Sequence, residues 1–198
     1  MRALSIYSPR ERGFTLLEVL VVSAILMLTM GFLMYSFSVN RANVQNETDL
    51  FISNIRRAQS YAVSSKALPT DGTLRCGYGI RYIDARTYAI YAGADTATTI
   101  CSGQNRNYNA GIDVDAETIT IKELRVDILA PFSNIFFEPP DPKTYINNNP
   151  TVNGTPASVT IRTINADCSV DNSSCRVICI YPSGKIETVQ QGIPCPAL

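Results

Sequence analysis

Glu18 is the single charged residue in an apolar stretch of 26 residues, numbered 14–39. As a helix rising about 1.5 Å per residue, this stretch would be roughly 39 Å long, enough to cross a hydrocarbon layer of about 30 Å. An ionised carboxylate inside such a layer costs on the order of 2.5 to 3.5 kcal/mol. The sequence therefore predicts a membrane-spanning helix whose one carboxylate needs a positively charged partner.

The residues just before the apolar stretch have the character of a processing site. Arg2, Arg10 and Arg12 precede Gly13, and Phe14 follows it. Because glycine has no Cβ, the backbone at Gly13 can enter a narrow protease site in an extended form. The arginines favour a cytoplasmic N-terminus and an exported C-terminal region.

This segment resembles the cleavage and assembly motif of type IV pilins and type II secretion pseudopilins. The resemblance is carried by Arg12-Gly13-Phe14-Thr15-Leu16-Leu17-Glu18-Val19-Leu20. It implies that prepilin peptidase cuts between Gly13 and Phe14, and that the new N-terminus of Phe14 is N-methylated. It also implies that Glu18, fifth in the trimmed chain, pairs with the Phe14 amine of a neighbouring subunit. Taken alone, Glu18 could instead be a carboxylate that snorkels to the membrane interface.

Residues 49–63 resemble the segment after the membrane span in the GspH/FimT group of minor pseudopilins and minor pilins. Many major pilins carry a proline halfway along this span, whereas here the only helix breaker is Gly31. The expected protein is a minor pseudopilin of a type II secretion-like pseudopilus, anchored in a bacterial inner membrane. Its expected partners are prepilin peptidase, other pilin-like subunits and an inner-membrane assembly platform. A minor type IV pilin for motility, adhesion or DNA uptake is the alternative.

The helical pattern continues past the apolar stretch. Apolar residues recur at spacings of seven, four, three and four, at Val44, Phe51, Ile55, Ala58 and Ala62. We expect one helix from about residue 14 to about residue 65, ended by the breakers in 68–72. Its parts would be a membrane-spanning half over 14–39 and an amphipathic half over 40–66, after a leader of residues 1–13.

Beyond residue 72 the apolar period becomes two, which predicts a β-rich extracytoplasmic domain over 67–198. Tight turns at 84–86 and 182–184 predict two hairpins, and residues 138–156, with five prolines and four asparagines, predict a long exposed loop. The fold class is therefore α+β, a long N-terminal helix packed on an antiparallel β-rich domain. The predicted strands are 78–83, 87–92, 118–121, 123–129, 134–138, 158–164, 176–181 and 185–189.

Six cysteines lie beyond residue 75, and an even number in a loop-rich region indicates disulfides in an oxidising compartment. Six cysteines allow 15 pairings. A local arrangement would join Cys76 with Cys101, Cys168 with Cys175, and Cys179 with Cys195. A metal cluster of Cys168, Cys175 and Cys179 fits less well, because spacings of seven and four match no CxxC pair and the chain has no histidine.

Two further motifs have ordinary structural explanations. Asp113, Asp115 and Glu117 alternate like ligands of a hard cation, but the run lacks the glycine and the additional carboxylate of a dedicated calcium loop. A solvated strand face is the simpler interpretation. Residues 77–79 form a GxG without a third glycine or a following helix, which favours a strand start over a phosphate loop.

Composition limits the class of function. The charges of seventeen basic and seventeen acidic residues cancel. Arg56 and Arg57 could contact DNA, but the chain does not have the basic C-terminal tail found in FimT-like proteins that are proposed to bind DNA. No nucleic-acid partner is therefore expected. The absence of histidine removes the commonest general acid–base. We expect a structural, non-enzymatic protein without cofactor, metal or small-molecule substrate. A membrane-anchored extracytoplasmic enzyme, using a Ser–Lys pair formed on folding, is the alternative.

Overall fold

The computed structural model describes residues 15–139, 143–149, 155–169, 174–190 and 195–196. The chain forms two compact units, Met1–Val39 and Asn40–Leu198. One long N-terminal helix is followed by antiparallel sheets, which confirms the expected α+β class. The described elements are α1 (Leu16–Val63), β1 (Tyr78–Asp84), β2 (Thr87–Ala92), β3 (Val114–Thr120), β4 (Val126–Ile128), β5 (Ile135–Glu138), β6 (Lys143–Ile146), β7 (Ala157–Thr163), β8 (Cys175–Ile180) and β9 (Ile186–Gln190).

Helix α1 has a recognisable signal at each end. At its start the Thr15 hydroxyl oxygen accepts the backbone N–H of Glu18 at 3.2 Å, as an N-cap does. The helix ends at Val63, two residues before the predicted end, and Ser65 has a positive φ of 45°. The breaker segment then forms a turn in which the Gly72 N–H donates to the Leu68 carbonyl at 2.8 Å.

The strands form two sheets in which every pair is antiparallel. The five-stranded sheet has the order β3-β2-β1-β5-β6, and the four-stranded sheet has the order β4-β7-β8-β9. Both predicted hairpins are confirmed, since β1 pairs with β2 and β8 pairs with β9. Antiparallel neighbours joined by tight turns are the pairs that local sequence specifies best.

Three predicted boundaries were wrong. Residues 143–146, assigned to the exposed loop, form β6 at the edge of the five-stranded sheet and pair with β5. Thr144, Tyr145 and Ile146 are residue types that are enriched in strands, but the surrounding prolines and asparagines hid so short a signal. Strand β3 begins four residues earlier than predicted, and β4 is limited to three residues.

The core lies where the second half of α1 meets both sheets. All five apolar residues that defined the predicted stripe are at most 1% exposed. They pack in one cluster with Tyr78, Ile80 and Ile90 of the five-stranded sheet, and with Val159 and Ile178 of the other. The helix therefore supplies the apolar surface that both sheets cover.

Candidate functional site

The N-terminal processing and assembly residues lie at the start of α1. Gly13 and Phe14, the predicted cleavage and methylation residues, lie outside the described residues. Glu18 is described in the first turn of α1, where it is exposed. A negative charge in the first turn is favourable for a helix, because the unpaired N–H groups there carry partial positive charge.

The apolar part of α1 exposes its side chains. Between residues 16 and 34, large apolar side chains are exposed on every side of the helix, among them Leu16, Leu20, Ile25 and Phe32. By length and composition, α1 could cross a membrane, and it is the only described helix that could. An apolar surface of this extent is unstable in water, so the segment needs lipid or other helices around it.

Polar contacts fix the second half of α1 to the five-stranded sheet. Arg57 donates to the Glu117 carboxylate of β3 at 2.7 Å, and the Tyr61 hydroxyl donates to its other oxygen at 2.7 Å. One turn earlier, the Asn54 amide nitrogen donates to the Tyr88 hydroxyl of β2 at 2.6 Å. Burial raises the pKa of Tyr88 to about 12, so this hydroxyl stays neutral near pH 7. These bonds set the rotation of α1 on the sheet.

The three acidic residues considered as cation ligands each contact a different partner. Asp113 accepts the Asn109 backbone N–H at 2.7 Å, Asp115 pairs with Arg81 at 2.8 Å, and Glu117 is committed to α1. Among the described residues, no group of three or more His, Cys, Asp or Glu side chains is arranged to hold a metal ion. Strand β3 therefore has one ion pair to β1, through Asp115, and one to α1, through Glu117.

The six cysteines lie in three pairs in the structure. Their Cα atoms are 5.2 Å apart for Cys76 and Cys101, 5.7 Å for Cys168 and Cys175, and 5.6 Å for Cys179 and Cys195. These separations are within the usual range for a disulfide. The first pair joins the start of β1 to the segment between β2 and β3, and the third joins β8 to the C-terminal tail.

The segment between β2 and β3 was not predicted to have a defined structure, yet it covers one face of the five-stranded sheet. Tyr91, Phe136 and Tyr145 form an aromatic cluster on the face opposite the main core. The Tyr91 hydroxyl donates to the Arg106 carbonyl at 2.8 Å, and the Arg106 guanidinium lies 4.5 Å from the Tyr145 ring centre. We call residues 93–113 the cover segment.

Glycines in the neighbouring strand make room for this cluster. A Cβ on Gly79 would lie 2.5 Å from the Tyr91 ring and 2.5 Å from the Ile135 carbonyl oxygen. A Cβ on Gly77 would meet the Phe136 ring at 2.6 Å, and Gly77 also has a φ of 156°. The GxG motif therefore allows aromatic rings to pack on β1, in agreement with its interpretation as a strand start.

A family model described as the prokaryotic N-terminal methylation motif matches residues 8–34. No curated protein and no solved structure matches the chain significantly. The match supports a type IV pilin-like or pseudopilin family, and it indicates a prepilin-peptidase substrate that assembles with other pilin subunits. It suggests a structural, non-enzymatic protein, and the apolar helix suggests membrane anchoring.

Proposed function

We propose that this chain is a minor pseudopilin of a type II secretion-like pseudopilus, cleaved between Gly13 and Phe14 and N-methylated on Phe14. The observation that carries the proposal is the position of Glu18, a carboxylate in the first turn of an otherwise apolar, exposed helix that carries the methylation motif. Once cleavage frees the Phe14 amine, the Glu18 of one subunit pairs with the Phe14 of the next. In low dielectric, that pairing selects one axial offset between parallel helices.

The minor role is supported by the features that follow the motif. The membrane half of α1 has no proline, and a β-rich domain with six cysteines follows the helix. The precursor is held in the inner membrane with its N-terminus in the cytoplasm and its β-rich domain outside. An assembly platform then moves it into the filament. Its only reaction is as a substrate of the peptidase.

Substitution of Gly13 tests the proposed processing. In Gly13→Leu the added side chain obstructs the peptidase, so we expect cleavage to slow at least tenfold and full-length precursor to accumulate on a gel. Gly31→Ala is the matched control, because a Cβ at Gly31 meets nothing within 4 Å. Normal processing of Gly13→Leu in cells that contain the peptidase would refute the assignment.

A further inference from the structure

The cover segment lines an open cavity of about 200 Å³. The described residues that line it all belong to this segment, among them Ala94, Thr99, Gln104, Asn109, Ile112 and Asp113. The segment is bonded to the rest of the domain at two residues, Cys101 and Arg106. Cys101 is bonded to Cys76, and Arg106 is bonded to Glu138 and Tyr91. The cavity therefore belongs to a fixed part of the fold.

Asp113 places a buried carboxylate in this cavity. The residue is 6% exposed, and its Oδ2 accepts the Asn109 N–H at 2.7 Å. No described residue donates a hydrogen bond to Oδ1. Burial raises the pKa of Asp113, while the Asn109 bond and the charge of Arg75 act to lower it. A buried carboxylate with unused acceptor capacity is complementary to a positively charged donor.

Arg75 does not supply that donor. Two nitrogens of its guanidinium are bonded to the Asp71 carboxylate and to the Gly93 carbonyl, and its Nε is a buried donor without a described partner. The buried Gln104 accepts the Ala94 N–H with its side-chain oxygen at 3.3 Å, and its side-chain nitrogen is a buried donor without a described partner. Asp113 is thus the charged residue among the described residues that line the cavity, and its carboxylate remains available to an occupant.

The shape and polarity of the cavity select the kind of cation. Ile112 is 53% exposed and gives the cavity an aliphatic wall. A lysine side chain matches this arrangement, since its methylene stem packs on apolar surface and its ammonium is a compact donor. Arginine fits less well, because its bidentate pairing uses both carboxylate oxygens and Oδ2 already accepts from Asn109. Calcium would need six to eight oxygen ligands.

We propose that the cavity of the cover segment binds a lysine side chain of a neighbouring filament subunit, with the ammonium donating to Asp113 and the stem packed on Ile112. The inference rests on the proposed function, which supplies that neighbour. It adds to the pairing of helices a contact between the β-rich domain and an adjacent subunit.

Ligand binding can be measured on the full-length protein in detergent micelles, with isotope-labelled isoleucine methyl groups. The probe is N-acetyl-lysine methylamide, and N-acetyl-norleucine methylamide is the matched probe without the ammonium. We expect a saturable shift of the Ile112 methyl signal with the lysine probe and at least tenfold weaker binding of the norleucine probe. The methyl of Ile100, which is 82% exposed, controls for unspecific contact.

Two variants distinguish the role of the Asp113 carboxylate from the general effect of removing a negative charge. Asp113→Asn keeps an oxygen that can accept the Asn109 N–H, and it should lower the affinity for the lysine probe at least tenfold. Asp49→Asn, on the exposed face of α1, should leave the affinity for the lysine probe unchanged. Equal binding of both probes, undiminished binding to Asp113→Asn, or a saturable response to calcium with none to lysine would overturn the inference.

The source of the lysine is tested in assembled filaments. A photo-crosslinking residue at position 112 should capture another filament subunit, and Asp113→Asn should reduce that capture at least fivefold. Capture of an exported protein instead would overturn the neighbour as the source. If Gly13→Leu is processed normally, the filament assignment itself fails. If processing depends on Gly13 but lysine does not bind selectively, this inference alone fails.

Discussion

At the scale of single residues, Glu18 is the side chain whose charge sets it apart from the rest of its segment. The rest of its helical segment is apolar and exposed, and no described residue forms an ion pair with it. In lipid such a carboxylate is costly unless it is paired. The sequence identified this residue directly, because one charge in a long apolar run requires no knowledge of the fold.

Replacement of Glu18 by glutamine should separate processing from assembly. The cleavage site is unchanged in Glu18→Gln, so we expect a mature N-terminus in normal amount. Incorporation into filaments should fall more than tenfold, since removal of one partner leaves the other charge unpaired in low dielectric. Immunoblots of sheared filaments measure this, with Asp49→Asn as the control. Full incorporation of Glu18→Gln would remove the role given to this carboxylate.

At the scale of elements, the second half of α1 was predictable and the cover segment was not. The stripe from Val44 to Ala62 follows the period of a helix, and all its members are buried. The cover segment has no such period. Its position depends on the contacts of Arg106 and Tyr91. These contacts join residues that are distant in sequence, so composition does not predict them. Strand β6 was missed for a related reason, because it exists through pairing with β5.

The helix stripe gives a direct stability prediction. Ile55 is fully buried in the main core, so Ile55→Ala should lower the free energy of unfolding by about 2–5 kcal/mol. Val63 lies in the last turn of the same helix and is 51% exposed, so Val63→Ala should change it by less than about 0.5 kcal/mol. Denaturant unfolding followed by tyrosine circular dichroism measures both. Equal effects would contradict the packing of α1 on the sheets.

The three disulfides make a second prediction at this scale. Removal of a pair as a double serine variant should cost about 2–4 kcal/mol of stability. The loss should increase with the enclosed loop, from the 7-residue separation of Cys168 and Cys175 to the 25-residue separation of Cys76 and Cys101. Peptide mapping without reduction should recover the same three pairs. A different connectivity would contradict the arrangement of the cover segment and the tail.

At the scale of the whole molecule, the chain has two units with different properties. The Met1–Val39 unit carries the methylation motif and an apolar helical surface, and the Asn40–Leu198 unit carries a buried core between a helix and two sheets. The change from uniform apolarity to a single apolar stripe, and then to a period of two, is local and can therefore be read from the sequence. Which strands lie at the sheet edges required the tertiary structure.

The mature N-terminus of the native protein tests the central claim most directly. The protein should be purified from a host that has prepilin peptidase and measured by intact-mass and N-terminal peptide mass spectrometry. The account predicts a chain that begins at Phe14 and carries one methyl group on its α-amine. A native protein that retains residues 1–13 in such a host would contradict the account.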